Sequence, residues 1–599
     1  MAWYDEAVFY HIYPLGLAGA PKQNDYGEPV HRLNTLLPWV DHIKEIGGSA
    51  LYIGPLFESV GHGYETTDYK KLDSRLGTNE DLTAFVAYCH EQGIKVIFDG
   101  VFNHTGRDFF AFKDIQANRE NSQYKDWYCN VNFWGNNEYN DGFSYDNWGG
   151  YNILVKLNQK NPAVVDYICD VIRFWVSEFD VDGIRLDAAD VLDFDFMKAL
   201  RRTANEVKPD FWLMGEVIHG DYSRWVNGET LHSVTNYTLH KALYSGHNDH
   251  NYFEIAHTVR RLQNMGTLKL YNFVDNHDVE RIYTKLTNKA HFAPVHVLLY
   301  TLPGVPSIYY GSEFGIEGRK EYGSDDSLRP ALNIEDYKDS VKTNPCTALI
   351  AALGKVRQAV PALSYGSYDE LMLTNRQFAY ARDLDGTRVI VSVNNDDAPA
   401  GMHLAAGNCT AYIGALSGEK VSVQDGHINI TQPANSGEIW VPEGTDLDVK
   451  PVKVVTKTES EAKTNTEDKA ASETATDAKG NQESEPKIES KESKDIVTAT
   501  ESAAAKKNTT NTEKNISAAN EVKDSAKDAS AQAAADTPVD PETITVDWSK
   551  SPESMTVPEL QAAILAKLAG NGPVDAQMKK TVTDNIWHDS LVNWLKSFR

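Results

Sequence analysis

Short apolar runs alternate with amphipathic stretches along residues 1–365. Val165, Ile168 and Ile172, for example, recur at helical spacing after Asn161 and Pro162, which suit a helix cap and a first helical turn. The apolar runs predict strands at residues 7–13, 50–53, 95–98, 181–186, 211–214, 234–237, 271–274 and 307–310. This alternation of strands and helices predicts an α/β fold, a (β/α)8 TIM barrel.

Polar residues gather where these predicted strands end. They are Asp99, Asn103 and His104 after the third strand, Arg185 and Asp187 at the fourth, Glu216 after the fifth, and His277 and Asp278 after the seventh. The carboxyl ends of the strands form one face of a barrel, and active sites of this fold lie on that face. We therefore expect these side chains to converge.

Arg185 and Asp187 are two residues apart, so on a strand they point to the same side. A fixed cation beside a carboxylate keeps that carboxylate ionised at neutral pH. A partly buried ion pair with a purely structural role explains the same spacing equally well. Tyr64, in a glycine-rich loop, has two interpretations as well, a stacking platform for a ligand or a tyrosine packed on the protein body.

Three acids at the strand ends, Asp187, Glu216 and Asp278, suit glycoside hydrolysis. That reaction needs one carboxylate held ionised and a second carboxyl group kept protonated. Arg185 would ionise Asp187, and the apolar run at 211–214 would provide an apolar setting for Glu216. Spacing alone leaves open which acid performs which task.

Changes in composition divide the chain into further segments. We expect the barrel at 1–103 and 160–365, an aromatic-rich excursion at 104–159, and an antiparallel β-sandwich at 366–445 with a turn at Asp385 and Gly386. Residues 446–545 are rich in Lys, Glu, Thr, Ser and Ala and predict a disordered linker. Residues 546–599 predict a small helical module, which begins with a capping box at Thr556 and Glu559.

Charge and cysteine content restrict the possible binding partners and the cellular compartment of the protein. A formal net charge of −27 argues against nucleic acid and anionic membrane surfaces and is compatible with a neutral substrate. The five cysteines are scattered and odd in number, which favours reduced thiols. No apolar run is long enough for a membrane span, and the first residues lack the features of a signal peptide. We therefore expect a cytoplasmic protein.

Four stretches of the chain resemble the signature regions of the α-amylase family of retaining glycoside hydrolases. They are Asp99-Gly-Val-Phe-Asn-His104, Gly183-Ile-Arg-Leu-Asp187, Gly215-Glu216-Val217 and Phe273-Val-Asp-Asn-His-Asp278. They occur in the family's order, on the third, fourth, fifth and seventh predicted strands. The resemblance covers roughly residues 5–445 and implies a barrel, a domain B after strand three and a β-sandwich domain C.

The resemblance also implies a role for each matching residue. Asp187 would be the nucleophile and Glu216 the general acid/base, while Asp278 would hold sugar hydroxyls and favour the distorted transition state. Substrate binding would fall to four residues: Arg185 orienting Asp187, His104 and His277 bonding the sugar, and Tyr64 stacking beneath it. The family implies no required cofactor. Asn103 matches a calcium ligand of α-amylases, although a hydrogen-bonded scaffold role explains it too.

Residues 154–158 and 106–112 are similar to stretches of neopullulanases and cyclomaltodextrinases. The chain departs from that group at two points. It begins at strand one, so we expect the amino-terminal β-domain through which those enzymes dimerise to be absent. Asp190-Val191 stands after the nucleophile, where they carry an Asn-Glu pair.

These features imply an enzyme that hydrolyses α-1,4-glucosidic bonds of maltodextrins, with cyclodextrins or pullulan as further substrates. One alternative is an α-glucosyl transferase on the same scaffold. A second alternative, from another class, is a carbohydrate-binding or assembly protein that self-associates or binds a partner protein through residues 546–599.

Overall fold

The computed structural model describes residues 2–266, 268–321, 324–449, 451, 546, 548, 550–552, 555–569 and 595. The chain divides into two compact units, 1–479 and 480–599. The predicted linker at 446–545 lies outside the described residues apart from 446–449 and 451.

The first unit contains a barrel of eight parallel strands. Up to residue 309 the strands are β1 Phe9–Ile12, β2 Ala50–Ile53, β3 Phe57–Ser59, β4 Thr66–Leu72, β5 Lys95–Gly100, β6 His104–Thr105, β7 Asn147–Trp148, β8 Tyr151–Lys156, β9 Gly183–Leu186, β10 Trp212–Gly215, β11 Ser233–Val234, β12 Tyr271–Asn272 and β13 Val305–Tyr309. The barrel order is β11-β10-β9-β5-β2-β1-β13-β12. A parallel bridge between Thr235 and Tyr271 joins its two ends. The predicted (β/α)8 barrel is confirmed.

Helices cover the barrel and separate its successive strands, except β10 and β11, which only a 3-10 turn at Tyr222–Arg224 separates. The helices are α1 Pro14–Leu17, α2 Leu37–Glu45, α3 Asn79–Glu91, α4 Phe110–Asn118, α5 Pro162–Phe179, α6 Phe194–Val207, α7 Tyr237–Asn248, α8 Tyr252–Asn264, α9 Ile282–Lys285, α10 Phe292–Thr301, α11 Ser340–Thr343, α12 Pro345–Ala359 and α13 Ala362–Tyr365. Asn161 caps α5 as predicted, since its side chain accepts the amide of Ala163 at 2.9 Å and Pro162 opens the helix.

The sixth barrel strand differs from its prediction at 234–237. The strand is Ser233–Val234, and Tyr237 is already the first residue of α7. Asn236 ends the extended segment because its side chain accepts the amide of Leu239 at 3.1 Å, which caps the helix. The β-forming residue types in this stretch therefore gave a wrong carboxyl-terminal boundary.

The excursion after β5 is attached to the barrel through a small antiparallel sheet. In it β6 pairs with β8, which places His104 opposite Lys156, and β7 pairs with β8 across a glycine turn. Because β6 begins only four residues after β5 ends, the excursion rises from the carboxyl face of the barrel.

The segment after the barrel is entirely antiparallel. Its strands are β14 Ser367–Leu373, β15 Gln377–Leu384, β16 Thr387–Asn394, β17 Ala400–Ala405, β18 Ala411–Gly414, β19 Lys420–Ser422, β20 His427–Gln432 and β21 Ser436–Pro442. A six-stranded sheet and the β17–β20 pair enclose a common apolar core. The predicted turn at Asp385 and Gly386 is present, with φ of +50° and +82°, values that hairpin turns require.

In the second unit, the helix α14 Val557–Ala569 begins after the predicted capping box. Glu559 accepts the Thr556 amide at 2.7 Å, and Leu560 and Ile564 pack with Leu595. Apart from Leu595, the part of the predicted helical module after Ala569 lies outside the described residues. Among the described helices, none has the length and apolar character needed to cross a membrane.

The amino-terminal face of the barrel is held together by the buried carboxylate of Asp182. It accepts hydrogen bonds from His90 (2.7 Å), Lys95 (2.9 Å), Lys208 (2.9 Å) and the Val96 amide (3.0 Å), and the residue is only 1% exposed. Burial alone would raise the pKa of Asp182, but these hydrogen bonds hold it well below its usual range. This carboxylate connects α3, β5 and the segment after α6 to the start of β9.

We expect Asp182→Asn to lower the melting temperature at pH 7, with a loss of about 3 kcal/mol, because the change leaves buried cations without their partner. Asp195→Asn is the matched control, since the Asp195 side chain is 92% exposed and should cost less than ~0.5 kcal/mol. Thermal unfolding of the three proteins measures both effects.

The stability difference between wild type and Asp182→Asn should depend on pH, because the pKa of Asp182 is lowered in the folded state. A carboxyl group with a lowered pKa in the folded state contributes stability above its unfolded pKa of ~3.9, and the contribution falls as the pH drops further. The gap between wild type and Asp182→Asn should therefore be smaller at pH 3 than at pH 7. An equal gap at both values would contradict this role for Asp182.

Candidate active site

The guanidinium group of Arg185 lies at the centre of the carboxyl face. Asp99 on β5 is the register partner of Arg185 on β9, so the two side chains point to the same side of the barrel wall. Arg185 Nη1 donates to Asp99 Oδ1 and to Asp187 Oδ1, both at 2.9 Å. The predicted pairing of Arg185 with Asp187 is thus present, and Asp99 is a second partner.

Glu216 is the third carboxylate on this arginine. Its Oε2 lies 2.9 Å from Arg185 Nη2 and accepts the Ala188 amide at 3.2 Å, while Oε1 accepts the Tyr237 hydroxyl at 3.2 Å. Ala188 has a left-handed conformation, with φ of +46°, which an alanine adopts only when its surroundings impose it. The turn after Asp187 thereby directs a backbone N–H to Glu216.

The apolar setting expected for Glu216 is not found. Trp212, in the strand before it, stacks on Phe9 at 5.0 Å and fills the barrel interior below the site. The Glu216 side chain itself contacts a guanidinium, a hydroxyl and a backbone amide. Its surroundings are polar because the strand ends before Glu216, which places the residue above the apolar layers.

Opposing electrostatic effects act on the pKa of Asp187. Burial raises its pKa well above the usual value, and repulsion from Glu216, Asp99 and Asp278 acts in the same direction, whereas Arg185 lowers it. Burial disfavours the charged form of Arg185, yet Asp99 and Glu216 raise its pKa well above the usual value. One guanidinium therefore faces more negative groups than it can neutralise, which favours retention of a proton within the cluster.

Asp278 is held by a histidine on one side and an arginine on the other. His277 Nε2 lies 3.0 Å from Asp278 Oδ2, and Arg329 Nη2 donates to Asp278 Oδ1 at 2.8 Å. Burial would raise the pKa of Asp278, but His277 and Arg329 hold it well below its usual range. Asp278 is thus ionised across the pH range in which proteins function.

The predicted substrate-binding residues lie around this cluster, and their side chains differ in solvent exposure. The Tyr64 hydroxyl donates to Asp99 Oδ2 at 3.2 Å and also contacts His277, and its ring is stacked parallel to that of His277. His104 is 1% exposed, with Nε2 3.1 Å from the Tyr64 carbonyl oxygen. Burial lowers the pKa of His104 to about 3, so its ring is neutral. Tyr64 and His277 thus lie beside the carboxylates, and the contact of His104 with a sugar stays a prediction.

Asp190, three residues after Asp187, lies at the rim of the site. It belongs to a 3-10 turn at Ala189–Val191 and is solvent-exposed. Partial burial of its carboxyl group, followed by repulsion from Glu216, raises the pKa of Asp190 to about 6. Asp190 therefore places a negative charge near Glu216 at neutral pH.

Asn103 supports the calcium prediction only in part. Its Oδ1 is buried and lacks a hydrogen-bond partner among the described residues, as expected of an atom that needs a ligand. Calcium, however, takes about 6–8 oxygen ligands, and the described residues contain no group of three or more His, Cys, Asp or Glu arranged to hold a metal ion. Calcium binding stays a prediction, and the mechanism below uses no metal.

Sequence reasoning missed three residues of this site. Tyr52 donates to Asp99 Oδ2 at 2.8 Å, Tyr237 contacts Glu216, and Arg329 contacts Asp278. The sequence pattern places Tyr52 only within a predicted apolar strand, and it places Tyr237 at the end of another predicted strand. Arg329 lies in an irregular segment far along the chain, so only the fold brings it to Asp278.

The part of the chain that contains this site is similar to known proteins. The family model described as the α-amylase catalytic domain matches residues 32–355, which include all seven predicted catalytic and substrate-binding residues. A cyclomaltodextrinase from Bacillus sp. is 31% identical over 422 residues, which are 66% of this chain and 74% of that protein.

Two further relatives show the same relationship. Neopullulanase 2 of Thermoactinomyces vulgaris is 29% identical over 473 residues, covering 73% of this chain and 78% of that protein. A solved cyclomaltodextrinase structure matches with a TM-score of 0.66 and 27% identity, covering 73% of this chain and 78% of the other.

Proposed function

Because this chain belongs to the α-amylase family of glycoside hydrolases, we propose that it hydrolyses α-1,4-glucosidic bonds of maltodextrins by a retaining double displacement. Cyclodextrins and pullulan are further candidate substrates, as the names of its relatives suggest. The observation that carries the proposal is the single buried guanidinium of Arg185, which contacts both Asp187 and Glu216.

In the first half-reaction Asp187 acts as the nucleophile. Arg185 holds Asp187 Oδ1, which leaves Oδ2 to attack the anomeric carbon as the glycosidic C–O bond breaks. Glu216 gives its proton to the departing oxygen. The shared contact with Arg185 is compatible with the ~5–5.5 Å separation of the two carboxyl groups in retaining enzymes.

In the second half-reaction the roles reverse. Glu216, now ionised, takes a proton from water, whose oxygen attacks the anomeric carbon and releases Asp187. If a sugar hydroxyl replaces that water, the same intermediate yields transfer rather than hydrolysis. The Tyr237 hydroxyl and the Ala188 amide stabilise the ionised form of Glu216 between the two steps.

Asp278 acts on the sugar ring rather than on the bond that is cleaved. Its carboxylate, ionised by His277 and Arg329, accepts hydrogen bonds from sugar hydroxyls and favours the positive charge that develops on the ring. Tyr64 offers its ring to the apolar face of the same sugar. These roles agree with the positions of the side chains around Arg185.

We expect Asp187→Asn to lower kcat on maltotriose by at least about 10⁴-fold, because the covalent intermediate cannot form. The same change at exposed Asp195 is the control and should leave kcat within about twofold. NMR of the first product from the wild type should show the α-anomer, and chromatography would separate hydrolysis from transfer products.

Two results would contradict the proposal. Survival of activity in Asp187→Asn would remove Asp187 as the nucleophile. No release or transfer of glucose units by the wild type from maltotriose, maltodextrin, cyclodextrin or pullulan would remove the α-glucan as the substrate.

Asp190 should influence the pH dependence of the reaction. Its carboxyl group ionises at about pH 6 and then places a negative charge beside the proposed acid. We expect Asp190→Asn to move the alkaline limb of kcat/KM for maltotriose to lower pH, by less than about one unit because Asp190 is exposed. An alkaline limb that stays in place or moves to higher pH would show that Asp190 does not act on the acid.

For the second unit we propose self-association through residues 546–599. A segment of this length is short for a module that stands alone. Removing residues 452–599 should lower the number of chains per particle, calculated from the sedimentation mass and the mass of one chain, and leave kcat/KM for maltotriose unchanged. The same number of chains per particle in the full and truncated proteins would contradict this proposal. We also propose a cytoplasmic location, which the five free cysteines support.

A further inference from the structure

Besides Phe110 on α4, three aromatic side chains on the excursion after β5 are exposed to solvent. Trp134 is 99% exposed, Tyr151 is 66% exposed and Tyr139 is 47% exposed. Aromatic rings normally supply a protein with buried area, and a tryptophan at this exposure contributes almost none to folding. Several such rings on one short segment are typical of a binding surface.

The segment that carries Trp134 and Tyr139 is held rigidly. Asn132 and Ser144 exchange backbone hydrogen bonds at 2.8 and 3.0 Å, which closes the loop between them. The Arg107 guanidinium pairs with Asp141 at 2.7 Å and lies 3.8 Å from the centre of the Tyr139 ring. The loop is thus ordered before any ligand arrives, which lowers the entropic cost of binding.

Tyr151 is connected to this loop. It follows a tight turn at Gly149 and Gly150, whose φ values of +62° and +85° only glycine adopts readily. The next residue, Asn152, donates to Glu138, the neighbour of Tyr139 in sequence. The exposed rings of Tyr139 and Tyr151 are therefore attached to two backbone segments joined by a direct hydrogen bond.

We propose that the aromatic surface formed by Trp134, Tyr139 and Tyr151 is a second carbohydrate-binding site, which holds α-glucan chains outside the catalytic cleft. The proposal rests on the proposed function for its ligand class. Exposed side-chain amides accompany the rings at Asn132, Asn136 and Asn140. Neutral amides donate and accept hydrogen bonds, and rings cover apolar sugar faces, so this chemistry suits an uncharged polyol.

The surface lies outside the cleft but within reach of the same polymer. Lys156, at the other end of β8, is the register partner of His104, next to the predicted catalytic residues. Tyr151 lies five residues farther along this strand, a distance of ~16 Å at about 3.3 Å per residue. A glucan polymer is long enough to contact both Tyr151 and the catalytic residues at once.

A second copy of this chain is a weaker candidate for the occupant. A fully exposed aromatic ring offers roughly 150–250 Å² of surface. The three partly exposed rings thus offer less than the ~800 Å² that each partner of a stable dimer buries. Carboxamides that ring the surface also favour a hydrogen-bonding ligand over an apolar protein face.

The test measures binding of the full chain to soluble starch by affinity electrophoresis, in an Asp187→Asn background so that the polymer stays intact. We expect addition of Trp134→Ala or Tyr151→Ala to weaken starch binding about fivefold to tenfold. Phe253→Ala is the matched control, because Phe253 is 47% exposed on α8, and it should leave starch binding unchanged.

In the active enzyme, Trp134→Ala should leave kcat/KM for maltotriose within about twofold if the aromatic surface acts outside the cleft, as proposed. Unchanged starch binding in both variants would overturn the inference. An equal loss of maltotriose turnover would also overturn it, by placing Trp134 in the cleft, and so would a fall in sedimenting mass, by identifying a subunit contact. Failure of the wild type to act on any α-glucan would instead contradict the proposed function, and the binding measurement would still stand.

Discussion

The buried guanidinium of Arg185 is the interaction on which the rest of the site depends. It contacts Asp99, Asp187 and Glu216, and each of these acids is contributed by a different barrel strand or by the residue that follows it. Three buried carboxylates repel one another, so they can approach this closely only with a cation between them. Arg185 thus holds the three acids together and opposes the rise in the pKa of Asp187 that burial causes.

The barrel makes this arrangement rigid from below. Aromatic and aliphatic side chains fill its interior, and Trp212 packs on Phe9 beneath the charged layer. Asp182 lies at the start of β9, the strand that carries Arg185. It accepts hydrogen bonds from His90, Lys95 and Lys208 and so connects β9 to its neighbours. The strand that presents Arg185 is therefore anchored at both ends, which suits a site whose charges must keep their positions during reaction.

Residue patterns predicted the elements well where the signal is local. Asn161 and Pro162 marked the start of α5, and Asp385 and Gly386 marked a hairpin turn, because caps and turns depend on a few neighbouring residues. The boundary at Asn236 was misplaced, since its cap competes with β-forming residue types around it. The setting of Glu216 was misjudged as well, because an apolar neighbour in sequence does not remain a neighbour above the strand end.

The sequence by itself determined the barrel, the acids at its strand ends and the pairing of Arg185 with Asp187, because period-two and helical spacings are local properties of the chain. Only the tertiary structure decided that Arg185 also contacts Asp99 and Glu216, and that Arg329 reaches Asp278. Those contacts join residues far apart in sequence, and they exist because barrel closure brings strand ends together. The electrostatic state of each acid follows from that convergence rather than from its own neighbours in the chain.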